Sequence, residues 1–186
     1  MGRWEPDAKG RLERAAMELY LERGFDQTTV AEIAERAGLT ERTFFRHFAD
    51  KREVLFRGAE LVDGMVAALA AVPESVPPLA AVAAALESAA DFFDGRREHS
   101  RQRQSVINAN PALRERESVK MAAIADTLAA ALARRGVAEP AASLAAEAGV
   151  AVFRVAFLRW LDDPAGRGFA EHIRETLAAL RDVVAQ

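Results

Sequence analysis

No cysteine occurs anywhere in the chain. Without thiols there is no disulfide framework and no thiolate metal site, and the absence fits a reducing compartment. Histidine is scarce, at positions 47, 99 and 172 only. These three are far apart and have no local ligand partners, so no metal site is expected. A P-loop, a glycine-rich dinucleotide fingerprint and a nucleophile elbow are all missing. The expectation is therefore a protein that is not an enzyme and has no cofactor. The longest clean apolar run, Met65 to Val72, is far short of a membrane span. The N-terminal stretch MGRWEPDAKGRLER has no apolar segment of the signal-peptide kind. A soluble, cytoplasmic protein with no membrane partner is expected on both counts. Period-two runs of β-branched residues are also missing, so no sheet is expected.

An excess of positive charge is lacking too. The 186 residues carry a formal net charge of −3, which at first argues against a nucleic-acid partner. Position matters more than the sum. Residues 1–58 hold eleven Lys or Arg and eleven Asp or Glu, so the acidic balance lies in the remainder. A DNA reader needs only a local cationic face, because individual Lys and Arg residues make the phosphate contacts.

What is present is helical signal. Half of the chain is hydrophobic, enough for a substantial core. The spacing of apolar residues, caps and breakers predicts nine helices. The first spans about Asp7 to Arg23 and ends at Gly24. Thr29 with Glu32 forms a capping box for a short second helix through Ala37. Gly38 supplies a left-handed turn, and Thr40 caps a third helix to about Phe48. Asp50 with Glu53 opens a fourth, carrying Val54, Leu55, Leu61, Val62 and Met65. Pro73, Pro77 and Pro78 precede a fifth, from about Leu79 to Asp94. A charged sixth helix covers about Arg97 to Asn108. Asn110 and Pro111 start a seventh that runs to Arg135. Glu139 and Pro140 start an eighth, ending near Asp162, and the ninth covers about Gly168 to Val184.

The stretch from Thr28 to Phe56 carries the functional signal. The turn from Ala37 to Thr40 is too short for antiparallel helices and forces a steep crossing, as in a helix-turn-helix. In such units the second helix enters the major groove. Phe44 and Phe48 share one face and are expected to plug the core. That directs Arg42, Thr43, Phe45, Arg46 and His47 toward the groove. Arg42 suits guanine O6 and N7, and Thr43 suits a base edge or a thymine methyl. Thr28, Thr29, Thr40, His47 and Lys51 complete the expected DNA-binding set. Thr28, Thr29 and Lys51 lie at helix starts, where hydroxyls, backbone N–H groups and the Lys51 cation suit phosphates.

This segment strongly resembles the TetR family of bacterial transcriptional regulators. The match lies in Thr28-Thr29, Ala31-Glu32-Ile33-Ala34, Ala37-Gly38, Thr43, His47-Phe48 and Lys51. Phe45 departs from it, since the family usually has tyrosine there. The resemblance implies an all-α protein with a helix-turn-helix DNA-binding domain (residues 1–52) and an effector-binding and dimerisation domain (residues 53–186). It implies a homodimer that binds double-stranded operator DNA, and a small-molecule effector that releases it as a repressor. The dimer surface would be the last two helices, through Val150, Phe153, Phe157, Trp160 and Leu161 on one and Phe169, Ile173, Leu177 and Leu180 on the other. Expected pocket residues are Phe92, Phe93, Ile107, Leu113, Met121, Phe153 and Trp160. The stretch from Asn108 to Glu117 resembles an actinobacterial subgroup that includes regulators responsive to acyl-CoA thioesters. The alternative is an all-helical enzyme or carrier for an apolar small molecule.

Overall fold

Helices begin and end where the sequence supplies caps. The computed structural model describes residues 7–56, 58–93 and 95–185. Asp7 caps α1 (Ala8–Arg23), accepting the Gly10 N–H at 2.9 Å. The expected capping box closes α2 (Val30–Arg36). Thr29 Oγ1 accepts from Glu32 N at 3.2 Å, and the Glu32 carboxylate accepts from Thr29 N at 2.9 Å. Gly38, at φ 65°, ends α2 in a Schellman turn: Leu39 N donates to Ala34 O at 2.8 Å and Gly38 N to Glu35 O at 2.9 Å. Thr40 then caps α3 (Glu41–His47).

The expected fourth helix does not start at Asp50. The Tyr20 hydroxyl donates to Lys51 O at 2.6 Å, the carbonyl to which an α-helix would bring Leu55 N. Leu55 N bonds Arg52 O instead, and residues Glu53–Leu55 form a 3₁₀ turn. Asp50 Oδ1 accepts from Arg52 N and Glu53 N and holds the entry to that turn. After it come α4 (Ala59–Ala71), α5 (Pro78–Ser88) and α6 (Ala90–Phe93). The last two replace the expected fifth helix, whose predicted end, Asp94, lies outside the described residues. At Ala89 the bond reaches back only to Leu86 O, which tightens and breaks the α-helix. There follow α7 (Arg97–Ala109), α8 (Pro111–Arg134), α9 (Ala141–Asp162) and α10 (Phe169–Val184). Among the described residues there is no strand.

The chain divides into two compact units. One is Met1–Arg57 with Arg101–Glu117; the other is Gly58–Ser100 with Ser118–Gln186. A single cut after residue 52 therefore differs from the packing in one main respect: residues 101–117, at the α7–α8 turn, group with the N-terminal helices. The core of the first unit joins Leu12, Ala16, Leu19, Tyr20, Ile33, Phe44 and Phe48 to Val106, Ile107 and Leu113. Ile107 and Leu113, both expected in an effector pocket, thus belong to this core.

The second unit packs α5 against α9 and α10. Gly149 on α9 permits the approach, because a Cβ there would lie 2.3 Å from Val82 Cγ1. Phe93 sits among Phe153, Phe157, Trp160 and Phe169, with ring centroids 5.0 to 6.0 Å away. Phe92 and Met121, also expected in the pocket, lie partly buried against the core of this unit, with the Phe92 ring 5.2 Å from that of Phe93. The residues expected on the dimer surface lie inside the same chain: Val150, Phe153, Phe157, Trp160, Leu161, Phe169, Ile173 and Leu177 are all buried, and Leu180 is partly so. The outward apolar residues of α9 are different ones. Leu144, Val155 and Leu158 are 65%, 49% and 49% exposed. With Ala148 and Ala151 they follow a 4-3-4-3 spacing, which keeps one stripe of a helix in line. Among the described residues α9 alone is long and apolar enough to cross a membrane, yet half of its most apolar stretch is buried in this core.

Candidate nucleic-acid interface

The three-helix head is held by side chains that tie loops to helices. Phe44 is fully buried, with its ring 5.3 Å from Phe48. That anchors the inner face of α3 and leaves Arg42, Phe45 and Arg46 on its exposed face. Phe45 is 55% exposed although it neighbours the most buried aromatic residue of the unit. An exposed phenyl ring on a helix face that also carries two arginines suits a surface that meets sugars, thymine methyls and phosphates together. Thr43 is half-buried, with its hydroxyl 3.1 Å from that of Thr40. Both are at the start of α3.

The expected anchors fall into two groups. Thr29 is exposed at the start of α2, but its hydroxyl and N–H both engage Glu32. The Thr29 N–H is the main reason that the Glu32 carboxyl is held below its usual range. Thr40 is exposed, and its hydroxyl accepts from Thr43 N. His47 is half-buried, and its Nε2 is enclosed without a hydrogen-bond partner among the described residues. These three stay near the surface.

Thr28 and Lys51 do not stand where the sequence reading put them. Thr28 is 1% exposed; its hydroxyl donates to Gly24 O at 2.9 Å and its N–H to Phe25 O. It closes the α1–α2 loop and presents neither donor outward. Lys51 points back into the head. Its Nζ donates to Phe25 O at 2.8 Å and to Thr28 O at 2.7 Å, with Asp26 O at 3.4 Å, and lies 4.4 Å from the Phe25 ring centroid. An ammonium has three protons, and three carbonyls meet them. Lys51 is therefore a clamp on the α1–α2 loop. Lys51→Met is expected to lower the stability of the head by about 2 kcal/mol, the scale of losing charge-assisted hydrogen bonds. Denaturant titration followed by circular dichroism checks this. An unchanged midpoint with a flattened salt dependence of DNA binding would return Lys51 to the phosphate-binding set.

Sequence reasoning missed other clamps of the same kind. Arg11 donates to Ala37 O and so holds the α2–α3 turn from α1. The Tyr20–Lys51 bond is another. Burial, helped by the Asp50 carboxylate, raises the Tyr20 phenol above its ordinary value, so the hydroxyl stays a donor. No local sequence pattern signals such contacts, because the partners are backbone carbonyls 26 and 31 residues away.

Comparison with known proteins places both parts of the chain. Residues 13–57 match the family model for bacterial regulatory proteins of the tetR family. Residues 76–185 match the model for the MftR C-terminal domain. The transcriptional regulator TcmR of Streptomyces glaucescens is 41% identical over 81 residues, covering 43% of this chain and 36% of that protein. The transcriptional activator FasR of Mycolicibacterium smegmatis is 32% identical over 114 residues, 59% of this chain and 49% of that one. The matched stretch thus spans about a third to a half of the length of these curated relatives. Among solved structures, the repressor FadR of Thermus thermophilus in complex with lauroyl-CoA is 25% identical, with 92% of both chains covered and a TM-score of 0.53.

Proposed function

The chain belongs to the TetR family of bacterial transcriptional regulators, and from that premise we propose that it is a homodimeric repressor released from operator DNA by a small-molecule effector. The observation that carries the DNA-reading half is the exposed face of α3. Arg42, Phe45 and Arg46 stand outward over a core closed by Phe44, beyond a turn held by Gly38 and Arg11. Arg42 reads a guanine edge, Thr43 an adjoining base, and Phe45 packs on a thymine methyl or a deoxyribose. Thr29 and Thr40, exposed at the starts of α2 and α3, face the phosphates.

Arg42→Ala is expected to cost about 1–3 kcal/mol in operator binding and to relax preference at one base-pair position. Selection from a random duplex pool, with wild type and variant side by side, measures both. A wild-type protein that selects no consensus, with or without candidate effectors, would end the regulator reading.

For the effector, likeness to a FadR solved with lauroyl-CoA supports an acyl-CoA thioester. The aromatic cluster around Phe93 is the proposed acyl-binding region. Its rings already pack at 5.0 to 6.1 Å, so an acyl chain must part them. Phe92, only partly buried and with its ring 5.2 Å from that of Phe93, marks the proposed entrance. Such opening shifts the protein only as far as the effector prefers the opened state. The dimer, in turn, forms through the outward stripe of α9, Leu144, Ala148, Ala151, Val155 and Leu158. A second copy offers the same stripe, as an isologous interface requires.

A further inference from the structure

Residues 101–117 are where α7 and α8 enter the DNA-reading unit. Val106, Ile107 and Leu113 supply apolar packing. The polar contacts converge on one short stretch, Glu53–Phe56, which follows the recognition helix. Arg116 donates through Nε and Nη2 to Glu53 Oε1, at 3.0 and 2.5 Å. Arg103 donates through Nε to Leu55 O at 2.6 Å, and its guanidinium carbon lies 5.4 Å from the Phe56 ring centroid. The same guanidinium pairs with Glu117 at 3.2 Å, and Gln104 also donates to Glu117. Asn110 secures the other edge, donating to Asp26 Oδ1 at 3.0 Å while its own Oδ1 caps α8.

Apolar packing alone would keep the segment in place. A guanidinium adds direction, because its donors lie in one plane and are rigid relative to each other. Two of them grip a three-residue turn from one side. That turn begins two residues after Lys51, whose ammonium closes the α1–α2 loop, and it follows α3 by only a few residues. A shift of the turn therefore moves the end of α3 and the loop beneath it.

We propose that Arg103 and Arg116 are positioning residues for DNA recognition: they hold the Glu53–Phe56 turn and through it set the angle at which α3 meets the groove. The assignment rests on the DNA-reading function proposed above.

The test uses the operator that the wild-type protein selects and compares it with random duplex DNA by fluorescence anisotropy over a range of salt. The variants are Arg116→Gln, Glu53→Gln, the exchange pair Glu53→Arg with Arg116→Glu, and Arg103→Lys. Each single variant is expected to lose about tenfold in preference for the operator. The salt slope should stay as in the wild type, because no phosphate contact has been removed. The exchange pair should recover part of the preference. Should a single variant fail to fold, the exchange pair and Arg103→Lys, which keeps the charge but loses the planar fork, carry the same comparison. Folded single variants with a lowered melting temperature and wild-type operator preference would reduce the contacts to plain stability and overturn the assignment. A wild-type protein that selects no operator would overturn both the assignment and the function beneath it.

Discussion

Phe44→Ala is expected to destabilise the DNA-reading unit by about 3–5 kcal/mol, the usual cost of truncating a buried phenylalanine. Phe44 has no exposed surface and packs against Phe48, with the rings tilted by 44°, in the three-helix core. Few small units have more than that to lose, so operator binding should vanish with it. The neighbouring residue is the control. Phe45 is 55% exposed, and Phe45→Ala should leave the denaturation midpoint nearly unchanged. Yet it should weaken DNA binding, because the exposed ring is part of the proposed reading face. Two identical side chains, adjacent in sequence, thus have opposite expected consequences. Urea titration by circular dichroism and anisotropy with operator DNA separate them. Equal loss of stability in both variants would show that the face of α3 has been assigned wrongly.

Leu158→Arg, alone or with Val155→Arg, is expected to turn the proposed dimer into folded monomers. Both positions are 49% exposed within one chain, so a charge there costs the monomer little. In the proposed dimer the same charge would be buried without a partner, at about 3–5 kcal/mol. That corresponds to roughly a hundredfold or more in the dissociation constant. Phe157→Ala, one position away, should behave differently. Phe157 is buried among Phe93, Trp160 and Phe169, so its loss should lower the melting temperature and leave the association state alone. Sedimentation velocity with a parallel thermal melt reads both effects. A Leu158→Arg, Val155→Arg protein that remains dimeric places the interface elsewhere.

Much of the head was legible in the sequence because its signals are local. Thr29 with Glu32, Gly38 and Thr40 lie within one or two turns of the groups they satisfy, and each does what its spacing implies. Phe44 and Phe48 could be assigned to the core because four residues apart means one helix face. The anchors were less legible. Thr28 and Lys51 have the residue types of a phosphate site, yet their donors are turned to carbonyls of the α1–α2 loop. A side chain's type states what it can bond, not which acceptor lies nearest.

The body shows the same limit on a larger scale. Helix α9 is apolar around most of its circumference, so periodicity identified a buried stripe without telling an internal face from an intermolecular one. Packing against α5 and α10 takes Val150, Phe153, Phe157 and Trp160 and leaves Leu144, Val155 and Leu158 outside.

By itself the sequence determined the all-helical fold, most helix boundaries, the helix-turn-helix and the family, since caps, breakers and 3.6-residue periodicity act within a few residues. Only the tertiary structure decided that the fourth helix starts late, that Lys51 is a clamp, and that residues 101–117 grip the turn behind the recognition helix. Each of these depends on groups 23 to 63 residues apart in the chain meeting in space. Such meetings follow from how the helices pack, which no short stretch of sequence encodes.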